Sequence, residues 1–199
     1  MRTEAEFVTL PDYLQHGLNL VFIGINPGLY SVSRRHYFAR TNSRFWPAFS
    51  VSKLSHAARL GLRVDRLTPE HDSQLSRFGI GLTDLVKRPS ANAGNLVPSD
   101  FEKWIPVLIA KLKRYAPRVA CFHGLTAYRP FLRLGLKCMD RVPVLGPQPQ
   151  RVGTVRIYVV PNPSPANAHF TLADQIAWYD RLAAFIAEPR SAGSKPALE

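Results

Sequence analysis

The side chains best able to do chemistry in this chain fall in four short segments, each set directly after an apolar run. The first reads Phe22-Ile-Gly-Ile-Asn-Pro-Gly-Leu29. Gly24 lets another group approach the chain closely, and Pro27-Gly28 forces a tight turn, so the Asn26 amide is held at the end of the run. Such an amide either orients something bound beyond the run or satisfies the backbone of its own Asn-Pro-Gly turn, and from the residues alone both readings stand. The segment lacks the GxxxxGK[ST] spacing of a phosphate loop.

The stretch from Tyr30 to Trp46 then mixes rings with Arg34, Arg35, Arg40 and Arg44 in one polar loop. Aromatics interleaved with guanidinium groups suit stacking on a nucleobase and neutralising phosphates. Phe38, inside the loop, is expected to stack, whereas Phe45 and Trp46 begin a helical pattern and are expected in the core. The third segment, Gly81-Leu-Thr-Asp-Leu-Val-Lys-Arg-Pro-Ser90, sets Asp84 near the end of a run with Lys87 and Arg88 beyond it. The fourth, Val159 to Phe170, contains Asn162-Pro-Ser-Pro-Ala-Asn167, a loop stiffened by proline and able to enter a groove. His123 ends another run and reads first as a structural histidine. His36 and His169 lie in loops expected to face a ligand, with the same discount. Lys111, Lys113, Arg114 and Arg118 form either a ligand-facing patch or a solvated helix end.

These segments need a frame that brings them to one edge. Four apolar runs, Leu18 to Ile25, Gly79 to Val86, Arg118 to His123 and Val155 to Val160, read as buried strands. Helical patterns over Phe45 to Leu54, Pro98 to Tyr115, Leu125 to Leu134 and Leu172 to Ile186 alternate with them. Alternation of this kind predicts an α/β fold with a mainly parallel sheet covered on both faces. Ligands of such sheets bind at the carboxyl ends of the strands, which is where all four segments fall. Residues 1–187 are expected to form one domain, and 188–199, rich in Pro, Ser, Gly and Ala, a disordered tail.

Twenty-six Lys and Arg against 14 Asp and Glu give a net charge of +12, which points to a polyanionic partner such as nucleic acid. Two cysteines, Cys121 and Cys138, far apart in the chain, argue against a zinc site, an iron–sulfur cluster or a disulfide framework. No metal or cofactor is called for. No apolar run reaches the roughly 20 residues of a membrane span, and the N-terminal segment lacks a signal-peptide core, so an intracellular protein without a membrane partner is expected.

Taken together and in order, the segments resemble the mismatch-specific uracil/thymine-DNA glycosylases, the Mug and thymine-DNA glycosylase branch of the uracil-DNA glycosylase superfamily. Gly24-Ile-Asn-Pro-Gly-Leu29 looks like the first signature, continued by Phe38-Ala39 and Arg44-Phe45-Trp46. Gly79-Ile-Gly-Leu-Thr83, Leu85-Val86 and Arg88-Pro89 match the middle block, and Asn162-Pro-Ser164 the second signature, over roughly residues 18 to 185. The resemblance implies a three-layer αβα sandwich and a monofunctional hydrolase of base-excision repair. Its partner would be double-stranded DNA carrying uracil or a mismatched pyrimidine, and single strands are open to it. It would act as a monomer, in a bacterium beside the nucleoid. The resemblance also implies roles: Asn26 orients the attacking water, Phe38 stacks on the flipped base, the backbone near Ile25 and Phe38 reads its edge, and Ser31 lies by C5. Gly24 and Asn162 belong to the same base pocket. Arg44, Lys87 and Arg88 would contact DNA, and Pro163, Ser164, Pro165, Ala166 and Asn167 would fill the gap left in the duplex.

The chain departs from the family pattern in three places. Asp84 replaces the Lys of the bacterial pattern and could activate water or stabilise the sugar cation, or else be a capping or ion-paired strand-end Asp. Pro165-Ala-Asn167 replaces the bulky wedge, which weakens reading of the opposite guanine. Leu125 replaces a Lys after Gly124, removing a phosphate contact. A non-catalytic nucleic-acid-binding module using the same basic groove is the alternative from another class.

Overall fold

The computed structural model describes residues 7–189. Most of the expected tail, residues 190–199, lies outside the described residues. Five strands form one sheet: β1 (Leu20–Gly24), β2 (Ile80–Asp84), β3 (Val119–His123), β4 (Gly146–Val152) and β5 (Val155–Val160). Their spatial order is β2-β1-β3-β5-β4. All pairings are parallel except β4 with β5. The four parallel strands are buried along their whole length, as expected of a sheet covered on both faces.

Among the described residues six α-helices cover it: α1 (Leu29–Arg34), α2 (Phe45–Val51), α3 (His56–Leu62), α4 (Pro98–Tyr115), α5 (Leu125–Pro130) and α6 (Leu172–Ala187). One face carries Phe22, Leu82, Cys121 and Tyr158 against Phe45 and Phe49 of α2 and Tyr179 and Leu182 of α6. The opposite face carries Ile23, Phe122 and Ile157 against Ile105, Leu108 and Leu112 of α4 and Tyr128 of α5. Each such side chain contributes about 1.5–3 kcal/mol on burial, so the two apolar layers fix the sandwich. The αβα architecture is the one expected from the alternation of runs. Phe45 and Trp46 are in the core, at 0% and 4% exposure.

The helix ends follow local chemistry. Pro98 opens α4, where the Asp100 carboxylate accepts from the Val97 amide at 2.9 Å. Thr171 and Asp174 form a capping box at the start of α6. Strand β4, absent from the sequence reading, contains Pro147 and Pro149 and is an edge strand paired only with β5, a position where proline is tolerated. The helix expected over Leu125 to Leu134 reaches Pro130 as an α-helix and continues as a π-type turn over Phe131–Gly135. Helices α1 and α3, and a 3₁₀ segment over Pro69–Phe78, were likewise not foreseen. Among the described residues no helix is long and apolar enough to cross a membrane.

Candidate active site

Register puts one row of residues across the carboxyl edge of the sheet. Asp84 pairs with Gly24 across β2 and β1. Ile23 pairs with Phe122 across β1 and β3, which brings His123 level with Gly24. His123 pairs with Val160 of β5, and Asn162 follows two residues on. By strand alternation with Phe22, Leu82 and Cys121, positions 24, 84 and 123 lie on the face covered by α2 and α6. A cavity of about 460 Å³ borders Gly24, Asp84, His123 and Asn162 together with Asn26, Ser31 and Phe38.

Asn26 is fixed by its amide nitrogen, which donates to the Ser90 hydroxyl at 2.8 Å, to the Arg88 carbonyl at 3.0 Å and to the Pro27 carbonyl at 3.3 Å. Carbonyl acceptors demand the nitrogen there, so the amide cannot be turned the other way. The turn-anchoring reading of Asn26 is realised by its nitrogen, and its oxygen is left without a partner among the described residues. Asn162 shows the complement. Its oxygen accepts from the Ser164 amide at 3.0 Å, leaving its NH₂ group over.

Phe38 has φ of 53°, a left-handed conformation costly for an aromatic residue. It is held there by its neighbours: the Tyr37 amide donates to buried Asp72 at 2.9 Å, and the Ala39 amide donates to Ser31 Oγ at 3.3 Å. One face of its ring stacks on Phe45, with centroids 4.0 Å apart and planes at 16°. The Ile25 carbonyl accepts from the Val86 amide at 2.9 Å, so the polar backbone group it keeps is its N–H.

Gly24 is required by Asp84, since a Cβ at Gly24 would stand 2.5 Å from the Asp84 carboxyl. Asp84 is 5% exposed and its Oδ2 has no hydrogen-bond partner. Burial pushes its pKa up to about 7, opposed by Lys87 with its ammonium 4.0 Å away and reinforced by Asp12. His123 is 2% exposed, and burial pushes its pKa down to about 3, so its ring is neutral.

Three residues expected to meet DNA are placed otherwise. Lys87 is buried at 6% exposure, donating to the Leu10 carbonyl at 2.7 Å and to Asp12 at 2.9 Å, and its ammonium is thereby drawn inside. The Arg44 guanidinium lies beneath the 162–167 loop and donates to the Ser164 and Asn167 carbonyls, each at 2.6 Å. Arg88 forms a two-point pair with Asp100 at 2.7 and 2.6 Å while keeping about a third of its side chain exposed (35%). The loop itself is a compact turn, closed by the Asn167 side chain on the Asn162 carbonyl at 3.1 Å, with Pro163 buried and Pro165 and Ala166 exposed at the cavity rim. Lys111 pairs with Asp12, and Arg118 donates to the Glu188 carbonyl, so these two do not form a free basic patch. His36 faces Asp72.

Sequence reasoning missed Ser90, Asp72 and Asp12, which hold Asn26, the Phe38 loop and Lys87 respectively. Each acts on a residue 35 or more positions away, so no spacing announces it. A second, more open groove of about 690 Å³ runs along the far side of the 36–44 loop, with Arg34, Arg40, Arg66 and Tyr30 on its walls. Arg40 and Ser43 border both cavities. Among the described residues no group of three or more His, Cys, Asp or Glu could hold a metal ion.

A mainly parallel sheet covered by helices on both faces, with a cavity at the carboxyl edge of its parallel strands, defines an αβα protein of the α/β class. Comparison places it more closely: the family model of the uracil DNA glycosylase superfamily matches residues 11–183, and the chain belongs to that superfamily. It is 30% identical over 152 residues to a G/U mismatch-specific uracil DNA glycosylase of Schizosaccharomyces pombe. That match covers 75% of this chain and 45% of the relative, so the chain spans less than half the length of that protein. A solution NMR structure of a candidate uracil DNA glycosylase from Methanosarcina acetivorans shares the fold, with a TM-score of 0.54, 21% identity and coverage of 88% of this chain and 97% of that one.

Proposed function

We propose that this chain is a monofunctional DNA glycosylase of base-excision repair that hydrolyses the N-glycosidic bond of uracil turned out of DNA, leaving an abasic site. The observation that carries the reading is the anchored Asn26 amide, which borders a cavity of about 460 Å³ together with Phe38 and whose oxygen has no partner among the described residues.

The base stacks on Phe38, and its glycosidic bond stays at the cavity mouth. Cleavage develops positive charge on the sugar and negative charge on the base. DNA phosphates favour the first, and donors in the cavity, the Ile25 N–H and the Asn162 NH₂ among them, favour the second. Asn26 accepts a hydrogen bond from a water molecule and aims its oxygen at C1′. An amide is no base, so the C1′–N1 bond breaks first, its electron pair leaving with the base. The water then bonds to C1′, and its proton passes to the departed base anion or to solvent. Asp84 is the second catalytic candidate, and its location refines the role. At the cavity floor, the acid form donates a hydrogen bond to the departing base, whereas the ionised form opposes the anion. Lys87 is tied to Leu10 and Asp12 and supplies no amine for a Schiff base, in keeping with simple hydrolysis.

The DNA backbone tracks the groove of Arg34, Arg40 and Arg66, and the 162–167 loop enters the duplex. Its tip, Pro165-Ala166, is small, so the opposite base is read weakly. Uracil paired with G, paired with A or in a single strand is a substrate. Oligonucleotides carrying one uracil in each context, cleaved by alkali after incubation, test this. Product from all three is expected, and binding without product in any context supports a non-catalytic binding module instead.

A further inference from the structure

A residue bordering the cavity carries a buried polar atom without a partner among the described residues. His123 ends β3, borders the cavity and is 2% exposed. Its Nε2 lies 3.0 Å from the hydroxyl of Tyr179 on α6. Its Nδ1 is buried and has no hydrogen-bond partner. Such an orphan destabilises a folded protein unless a ligand meets it. Three rings hold its orientation: it stacks on Phe22 with centroids 4.9 Å apart and meets Phe38 edge-on at 5.2 Å and Phe45 at 5.5 Å.

The hydroxyl contact sets the tautomer. An imidazole nitrogen is a better acceptor than a phenol oxygen, and a phenol O–H a better donor than an imidazole N–H, so Tyr179 donates to Nε2. The proton of a neutral ring is then on Nδ1, which becomes a donor. Uracil entering the cavity keeps N1, bonded to the sugar, at the mouth. The ring atom opposite N1 is C4, so the deepest polar atom of the bound base is the oxygen on C4.

We propose that His123 is the specificity-determining residue of the base pocket, its Nδ1–H donating to the C4 carbonyl of the flipped pyrimidine. The inference rests on the base-pocket reading above and deepens it by naming the substrate class: 4-oxo pyrimidines are accepted, and 4-amino pyrimidines such as cytosine meet donor with donor. Asp84, two strands away across Gly24, cannot make this choice, because a neutral carboxyl offers both a donor and an acceptor.

The test is a cycle of protein against substrate. Single-turnover excision is measured for uracil and for 2-pyrimidinone, which lacks the C4 oxygen, in otherwise identical oligonucleotides. The ratio of the two rates is compared between the wild type and His123→Leu, with folding checked by circular dichroism. The ratio is expected to fall at least about tenfold in the variant, because the leaving-group difference cancels and only the lost contact remains. A ratio unchanged within twofold overturns the proposal, even if both rates drop. Tyr179→Phe, which leaves the cavity wall intact and frees the tautomer, carries the test if His123→Leu does not fold. A fall of at least threefold is expected, and no change overturns it. Should the wild type excise uracil, with Asn26→Ala inactive and the ratios flat, only the role of His123 fails. Should the wild type excise neither base, the base-pocket reading fails and this inference with it.

Discussion

The amide nitrogen of Asn26 donates to the Ser90 hydroxyl at 2.8 Å, and Ser90 in turn donates to the Asn92 carbonyl at 2.6 Å. This relay, reaching from the end of β1 to the loop after β2, decides which end of the amide faces the cavity. Ser90→Ala removes one of three anchors and is predicted to slow uracil excision about 3–10-fold, with DNA affinity unchanged within about twofold. Single-turnover rates at saturating enzyme, with binding followed by anisotropy, check it. A weakened affinity at unchanged rate would assign Ser90 to DNA binding instead.

The Asp84 carboxyl occupies the space that a side chain at Gly24 would need, out of water and facing Lys87, Asp12, Lys111 and Tyr37. With its pKa near 7, the acid form dominates below neutrality, and excision is predicted to decline as pH rises through about 7. Asp84→Asn keeps a donor at every pH and flattens the profile between pH 6 and 8. An identical decline in both proteins contradicts the assignment.

The same group makes a stability prediction. Because the folded pKa is about 7 and the ordinary value is 3.8, the folded state holds a proton that the unfolded chain has lost, and stability falls as pH rises between those values. The effect is on the order of a few kcal/mol at most. Asp84→Asn is therefore expected to gain stability relative to wild type at pH 8 and to match it at pH 4, measured by urea unfolding. A gain of equal size at both pH values refutes the linkage.

Lys87 is a strut of the interior. Its removal as Lys87→Met leaves Asp12 with Lys111 alone and takes from Asp84 the stronger of the two cations that act on it. A loss of about 3 kcal/mol is predicted, the lower end for breaking a buried ion pair. Affinity for DNA at a temperature where the variant is folded should stay within about twofold. A strong loss of affinity without loss of stability would restore Lys87 to the DNA interface.

Arg44 and Arg66 separate loop support from phosphate contact. Arg44→Ala frees two carbonyls of the 162–167 loop and is predicted to lower excision about tenfold, with the salt dependence of binding unchanged. Arg66→Ala, on the wall of the open groove, should reduce the slope of log affinity against log salt by about one. The reverse pattern would move the DNA path to the other side of the loop.

The sheet was legible in the sequence because its four parallel strands are buried on both faces and read as unbroken apolar runs. The edge strand β4 was not, since Gly146-Pro-Gln-Pro-Gln carries prolines and polar residues that only an edge permits. Asn26 and Phe38 were legible because the turn that fixes one and the loop that presents the other are local. The partners of the charged residues were not legible: Lys87 pairs with Asp12, Arg44 with loop carbonyls and Arg88 with Asp100, choices that residue type and spacing do not encode. His123 was visible as a strand-end histidine, but its unpaired nitrogen exists only in three dimensions.

The most direct measurement is release of free uracil from a labelled oligonucleotide by the wild type and by Asn26→Ala, at enzyme concentrations where both are fully bound. The account predicts stoichiometric release by the wild type and a rate at least about 100-fold lower in the variant, with equal affinity. Release by Asn26→Ala at the wild-type rate would contradict it.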